Sequence, residues 1–165
     1  EIDKADEEFE AFLLEILSDH QVTIPEIGTV HAIVPPIVLL TSNATRDLGD
    51  AMKRRCLHLH IGFPDAKLEE RIVDARIPGI RDSLRRQIVS FVQQLRALDL
   101  RKLPSVSETI DWARALLLMN ATRLDPAVVH DTLNVLMKFE GDMQLAGKSV
   151  AEFAQKARRE AGLVD

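Results

Sequence analysis

The sequence has 165 residues, of which 46% are hydrophobic and 28% charged, a balance typical of soluble globular proteins. A chain of this length can bury a substantial core and holds one domain or two small ones. The single cysteine excludes an internal disulfide, and no apolar run approaches the roughly 20 residues that a membrane span needs. Since no secretory signal is visible, these features predict a cytoplasmic protein with no membrane partner.

Charge is distributed unevenly along the chain. Residues 1–63 carry 11 acidic and 5 basic side chains, whereas residues 64–165 carry 15 acidic and 16 basic ones. Neither part has the basic excess of a nucleic-acid-binding domain, so we do not expect nucleic acid as a partner. The chain opens with Glu1-Ile2-Asp3-Lys4 rather than with Met, which indicates a piece of a longer protein.

The first elements predict mixed α and β structure. Asp3 or Asp6 can cap a helix. Its apolar residues recur every three or four positions along one face, which predicts that this face is buried: Phe9, Phe12, Leu13, Ile16 and Leu17. Two alternating runs, residues 21–24 and 29–34, flank a Pro/Gly turn and predict a β-hairpin.

Residues 37–40, Ile-Val-Leu-Leu, form an unbroken apolar run between Pro35-Pro36 and the polar Thr41-Ser42-Asn43. Such a run predicts that residues 37–42 form a strand buried on both faces of a parallel sheet. Its polar end would lie at the carboxyl edge of the sheet, where open α/β folds bind ligands. Asn43 could hold a water or a phosphate oxygen there, but an Asn at this position also suits a turn.

A short charged helix is predicted over residues 47–55, followed by a second strand over residues 56–61. That strand alternates Leu57, Leu59 and Ile61 with His58 and His60. The two histidines share a strand face, but the sequence places no third ligand beside them, so we do not predict a metal site. Cys56 lacks a neighbouring His and acid to activate it and is expected to pack as a small apolar side chain.

Beyond Phe63-Pro64-Asp65 the sequence predicts no strand, only four or five helices. The strongest spans residues 81–98 and carries five apolar residues in register: Leu84, Ile88, Phe91, Val92 and Leu95. Ser105 and Ser149 each precede a Glu by three residues, the spacing of a capping box, and Asp125-Pro126 also suits a helix start. The chain is therefore predicted to divide into a mixed α/β domain, residues 1–63, and an all-α domain, residues 64–165.

Taken in order, these elements resemble an AAA+ ATPase of the MoxR type, from the second acidic residue of the Walker B motif onward. Glu1 falls at the Walker B glutamate, residues 14–24 resemble the family's helix-to-hairpin passage, Asn43 falls at sensor 1 and Arg55 at the arginine finger. The resemblance implies an α/β fold, with the second half of an AAA+ P-loop core (a parallel sheet plus a β-hairpin) over residues 1–63 and a helical lid over residues 64–165.

The resemblance also implies a function. Glu1 would polarise the water that attacks ATP, Asn43 would help place that water, and Arg55 would neutralise phosphoryl charge at a neighbouring subunit's site. ATP and Mg²⁺ are the implied ligands, and a homo-oligomeric, hexameric ring is the implied assembly. It would remodel or mature a protein client, such as a metalloenzyme, with a von Willebrand A-domain partner. The motif G-x-x-x-x-G-K-[ST] is absent, so these residues alone should not hydrolyse ATP.

The sequence departs from the family at sensor 2. Ser107 stands where the family often carries an Arg. Either Arg114, two residues after Trp112, substitutes for it or the lid lacks this contact, and sensor 2 is left unassigned. Simpler interpretations also stay open, because Glu1 could be a solvated acid and Arg55 a cation that favours a helix C-terminus. Two other functions are compatible with the sequence: a DNA-directed AAA+ machine related to clamp or helicase loaders, and a non-enzymatic helical interaction module.

Overall fold

In the computed structural model, which describes residues 1–43 and 45–162, the chain divides into two units. We call Glu1–Ile61 the N-terminal unit and Gly62–Asp165 the helical unit. Eight α-helices and one two-stranded antiparallel sheet lie within the described residues. Ala44 of the predicted 1–63 domain and the last three residues of the predicted 64–165 domain lie outside them.

The N-terminal unit contains a 3₁₀ turn, two helices and a hairpin: Ile2–Lys4, α1 Glu7–Asp19, β1 Gln21–Ile24, β2 Gly28–His31 and α2 Asp50–Lys53. The predicted cap Asp6 starts α1, since its Oδ1 accepts the Phe9 N–H at 2.8 Å. The strands pair antiparallel, with Gln21 opposite His31 and Ile24 opposite Gly28. Glu15 fixes the hairpin to α1 by accepting the Thr23 N–H at 2.9 Å and the Thr23 hydroxyl at 2.6 Å.

The buried core of this unit is small. Ile2, Leu13 and Met52 form it, and partly buried side chains, Cys56 among them, pack against it. The predicted buried face of α1 is therefore only partly covered, because Phe9 remains 48% and Phe12 40% exposed. The periodicity located the apolar stripe of the helix correctly, but a core of three residues leaves the edge of that stripe in solvent.

The predicted parallel sheet is wrong. Among the described residues, neither 37–42 nor 56–61 forms a strand. The predicted α/β fold class is therefore wrong, and so is the predicted half of an AAA+ P-loop core over residues 1–63. The predicted β-hairpin is present. Ile37 and Leu39 are 94% and 89% exposed, and Leu57, Leu59 and Ile61 are exposed as well. An apolar run becomes a buried strand only where neighbouring strands take up its backbone hydrogen bonds, and the described residues place no strand beside either run.

The helical unit consists of six helices: α3 Ala66–Arg76, α4 Asp82–Arg96, α5 Val106–Leu118, α6 Pro126–Leu136, α7 Glu140–Gly147 and α8 Val150–Glu160. The sequence predicted four or five. The additional helix is α7, whose eight residues include few large apolar side chains and so give no clear 3.6-residue pattern.

Helix α4 forms the centre of the helical unit and packs against α3, α5 and α8. All five of its predicted core residues are buried: Leu84, Ile88, Phe91, Val92 and Leu95. The Phe91 ring lies 5.3 Å from the Trp112 ring of α5 and 6.2 Å from the Phe153 ring of α8. Trp112 is fully buried, and its indole N–H donates to Thr132 Oγ1 at 2.8 Å, so its polar atom is satisfied.

Three of the predicted helix caps, at Ser105, Ser149 and Asp125 of the helical unit, behave differently. At α5 the capping box forms, because Ser105 Oγ accepts the Glu108 N–H at 3.3 Å and Glu108 accepts the Ser105 N–H at 2.7 Å. At α8 it does not, because Ser149 has helical dihedrals, φ −105° and ψ −3°, and its side chain caps nothing. Asp125 makes no cap bond either and instead pairs with Arg123 and Arg158.

Candidate functional site

Glu1 and Asn43, which are 42 positions apart in sequence, lie side by side in the N-terminal unit. The Asn43 side-chain amide is 3.5 Å from Glu1 Oε1, at the long limit of a hydrogen bond. Beneath them the Ile2 N–H donates to the Thr41 carbonyl at 2.8 Å, and the Glu1 backbone nitrogen donates to Thr41 Oγ1 at 3.1 Å. The backbone contact holds the two segments together and leaves both polar side chains at the surface.

Lys4 contacts the carboxylate of this pair. Its ammonium lies 2.6 Å from Glu1 Oε2, within a single turn of the chain. The Lys4 hydrogen bond and charge lower the pKa of the Glu1 carboxyl, and Glu1 in turn raises the pKa of Lys4. Glu1 is a surface carboxyl that is ionised at neutral pH in any case, and it has Oε2 occupied by Lys4 and Oε1 facing Asn43. Lys4 was not among the predicted site residues, although an acid and a base three residues apart are a visible signal in the sequence.

Arg55 lies at a different part of the N-terminal unit, just after α2. Its Nε donates to the Ser18 hydroxyl at the end of α1, and its Nη1 donates to the Ala51 carbonyl at 3.0 Å. No hydrogen bond or ion pair among the described residues joins Arg55 to Glu1 or Asn43. The structure thus brings together two of the three predicted site residues and keeps Arg55 apart from them.

The sensor 2 candidates lie on α5 in the helical unit. Ser107 is exposed in the first turn of the helix. Arg114 is exposed and pairs with Asp111 at 3.2 Å, one turn earlier on the same helix. Trp112, between these two positions, belongs to the core. Neither Ser107 nor Arg114 is buried, and Arg114 is held by a surface ion pair that costs little to break.

The described residues do not assemble a metal site. No group of three His, Cys, Asp or Glu side chains among them could hold an ion, and His58 and His60 are exposed. Mg²⁺ prefers carboxylate oxygens, and at the Glu1–Asn43 pair one of the two Glu1 oxygens, Oε2, is taken by Lys4. The sequence also contains no P-loop, so these residues alone do not form a binding site for the ATP phosphates or for Mg²⁺. What they do form is a paired carboxylate and amide able to orient a water molecule.

Comparisons with known proteins add no family assignment. No protein-family model matches the chain, and neither a curated protein nor a solved structure matches it. None of the described helices combines the length and the apolar character that crossing a membrane requires.

Proposed function

We propose that this chain supplies the water-positioning residues of a MoxR-type AAA+ ATPase, with Glu1 and Asn43 at the site of hydrolysis. One observation carries the proposal: the Asn43 amide and the Glu1 carboxylate, distant in sequence, face each other across 3.5 Å. This support is local. It comes from the arrangement of residues 1–2 and 41–43 and does not draw on a parallel sheet.

The pair suits the activation of a water molecule. Glu1 Oε1 can accept a hydrogen bond from the water, while the Asn43 amide can donate one to the water oxygen. A water held from both sides keeps one lone pair free for attack in a fixed direction, and positioning of this kind supplies much of the catalysis in phosphoryl transfer. The Glu1 carboxylate acts by orienting and polarising the water, and the Lys4 contact, which lowers the pKa of Glu1, favours its ionised form.

The other groups that the proposed reaction needs would come from other segments and subunits. The phosphate cradle would come from a P-loop outside residues 1–165, and Arg55 would reach the phosphates bound by a neighbouring copy in a hexameric ring. Its separation from the Glu1–Asn43 pair and its exposed position are compatible with such a role. By the same resemblance, the ring would use ATP and Mg²⁺ to remodel a protein client, including one that carries a von Willebrand A domain.

The test uses the full-length protein with two neutral substitutions, Glu1→Gln and Asn43→Ala. Each should lower kcat for ATP by about 10²- to 10⁴-fold and leave nucleotide affinity within about threefold, because the cradle and not this pair binds the phosphates. The matched controls are Glu8→Gln and Asn134→Ala, exposed residues on α1 and α6, which should leave turnover unchanged.

Two results would overturn the proposal. The first is near-normal turnover in Glu1→Gln or Asn43→Ala. The second is the absence of a P-loop from the roughly 60–100 residues that precede Glu1 in the full-length protein. Without that motif there would be no bound phosphate for the water to attack.

A further inference from the structure

A buried carboxylate joins the two segments of the candidate site. Asp3 is only 3% exposed, and its Oδ2 accepts the Thr45 hydroxyl at 2.6 Å and the Thr45 N–H at 3.1 Å. The Thr45 hydroxyl first and then its N–H hold the pKa of Asp3 far below the ordinary value, against the opposing effect of burial. Since Asp3 follows Glu1 by two residues and Thr45 follows Asn43 by two, the bonds tie together the segments that carry the pair.

Arg46 ties the same segments at further points. Its Nε donates to the Asp3 carbonyl at 3.0 Å, its Nη2 donates to the Ala5 carbonyl, and it forms an ion pair with Glu10 of α1. The guanidinium spreads these donors over a rigid plane, so one side chain fixes the loop after Asn43 to the backbone after Glu1 and to the adjoining helix.

The Glu1–Asn43 contact cannot hold this geometry alone. Both side chains are exposed and their contact is long, so its own contribution to their alignment is small. We infer that Asp3, Thr45 and Arg46 are positioning residues, which hold Asn43 against Glu1 by fastening the loop that follows it. The expected effect on turnover rests on the proposed function. The expected effect on the Asn43–Glu1 geometry does not depend on it.

The geometric part can be tested on the 165-residue chain without nucleotide. Thr45→Val keeps the shape of the side chain but removes the hydroxyl that Asp3 binds, whereas Thr45→Ser retains it. In Thr45→Val the Ile2 and Thr45 backbone amides should exchange with solvent about tenfold faster, and NMR contacts between the Asn43 side-chain amide and Glu1 should disappear. Thr45→Ser should preserve both.

Asp3→Asn and Arg46→Lys extend the test. Both should weaken the Asn43–Glu1 contact, because an amide accepts two donors less strongly and an ammonium cannot span the same partners. Their matched controls are Asp19→Asn and Arg54→Lys, exposed positions at the ends of α1 and α2. An unchanged Asn43–Glu1 contact in both Thr45→Val and Asp3→Asn would overturn the inference.

Turnover in the full-length protein separates positioning from mere support of the fold. Thr45→Val should lower kcat about 10- to 100-fold with KM unchanged, and Thr45→Ser should restore it. In the Asn43→Ala background, Thr45→Val should have no further effect, because the residue it positions is gone. Full additivity of the two losses would overturn the inference. An active Asn43→Ala enzyme would instead refute the proposed function and leave the exchange measurement to decide on the positioning role.

Discussion

The Glu69 carboxylate and the Arg96 guanidinium form a two-point ion pair inside the helical unit, with Nη1 2.7 Å from Oε2 and Nη2 2.8 Å from Oε1. Glu69 is completely buried, and its remaining acceptor capacity is filled by Gln93 at 2.8 Å and by the Thr109 hydroxyl at 2.9 Å. The pair joins α3 to α4, and Thr109 adds α5, so a buried charge lies where three helices meet.

Breaking this pair from one side should be costly. Arg96→Met leaves the Glu69 carboxylate buried without a cation and should lower the free energy of unfolding by about 3–5 kcal/mol. The double variant Glu69→Leu/Arg96→Met should recover part of that loss, since it removes the uncompensated charge. Urea denaturation followed by circular dichroism measures both values.

The control for this experiment is Arg86→Met. Arg86 lies 4.0 Å from Glu70 in a solvent-exposed pair, 53% and 28% exposed, which should contribute about 0–1 kcal/mol. An Arg96→Met variant no less stable than Arg86→Met would show that the buried pair carries no more energy than a surface one.

The two Ser-x-x-Glu motifs should respond differently to substitution. Ser105→Ala removes a formed capping box at α5 and should lower the free energy of unfolding by about 0.5–2 kcal/mol. Ser149→Ala should change it by much less, because the Ser149 side chain caps nothing. Equal effects at the two serines, measured by urea denaturation, would contradict the observed difference in capping.

The hairpin should loosen at acid pH through Glu15. Hydrogen bonds first from the Thr23 hydroxyl and then from its N–H lower the pKa of Glu15 in the folded state. A depressed folded pKa means that the stabilisation is complete above the ordinary Glu value of about 4.3 and is lost as the pH falls below it. The protection factor of the Thr23 amide should therefore fall below about pH 4.

The pH effect has a simple control. In Glu15→Gln the protection of the Thr23 amide should no longer change with pH in that range, since the carboxyl is gone. Glu26→Gln, an exposed substitution at the hairpin turn, should retain the wild-type response. A pH response that survives in Glu15→Gln would assign the effect to another group.

In the proposed hexameric ring, Arg55 should act on the site of a neighbouring copy. Arg55→Ala should lower turnover by about 10³- to 10⁵-fold and leave nucleotide affinity nearly intact, and Arg55→Lys should not restore it, because an ammonium lacks the planar fork. Arg54→Ala, the adjacent exposed arginine, is the control and should retain activity.

Mixing the Arg55→Ala and Glu1→Gln proteins decides whether Arg55 acts in trans. If it does, some interfaces in mixed rings combine an intact Glu1 with an intact Arg55, and activity returns. If Arg55 serves its own subunit, no site in the mixture is complete and the mixture stays inactive.

Much of the helical unit could be predicted from the sequence, because a helix that packs against its neighbours shows this in its own periodicity. The stripe from Leu84 to Leu95 of α4 is buried as predicted. The Ser-x-x-Glu motifs at Ser105 and Ser149 show the limit of such prediction. Ser149 follows α7 so closely that its backbone stays helical, and the four-residue motif does not encode that difference.

The sheet could not be predicted in the same way, because a strand depends on partners that the strand's own residues do not specify. The run at residues 37–40 has the composition of a buried strand, but Ile37 and Leu39 remain in solvent. The candidate site could be predicted from the sequence only in part. The resemblance drew attention to Glu1 and Asn43, whereas the bonds of Asp3 to Thr45 link positions 42 apart that carry no recognisable spacing.

The buried position of Trp112 has a spectroscopic consequence. The chain contains one Trp and no Tyr, so its intrinsic fluorescence originates almost entirely from the centre of the helical unit, where the indole N–H is bonded to Thr132. Unfolding confined to the N-terminal unit should therefore leave the emission unchanged and lower the helical circular dichroism signal through α1. A difference between the two denaturation curves measures directly how independently the two units unfold.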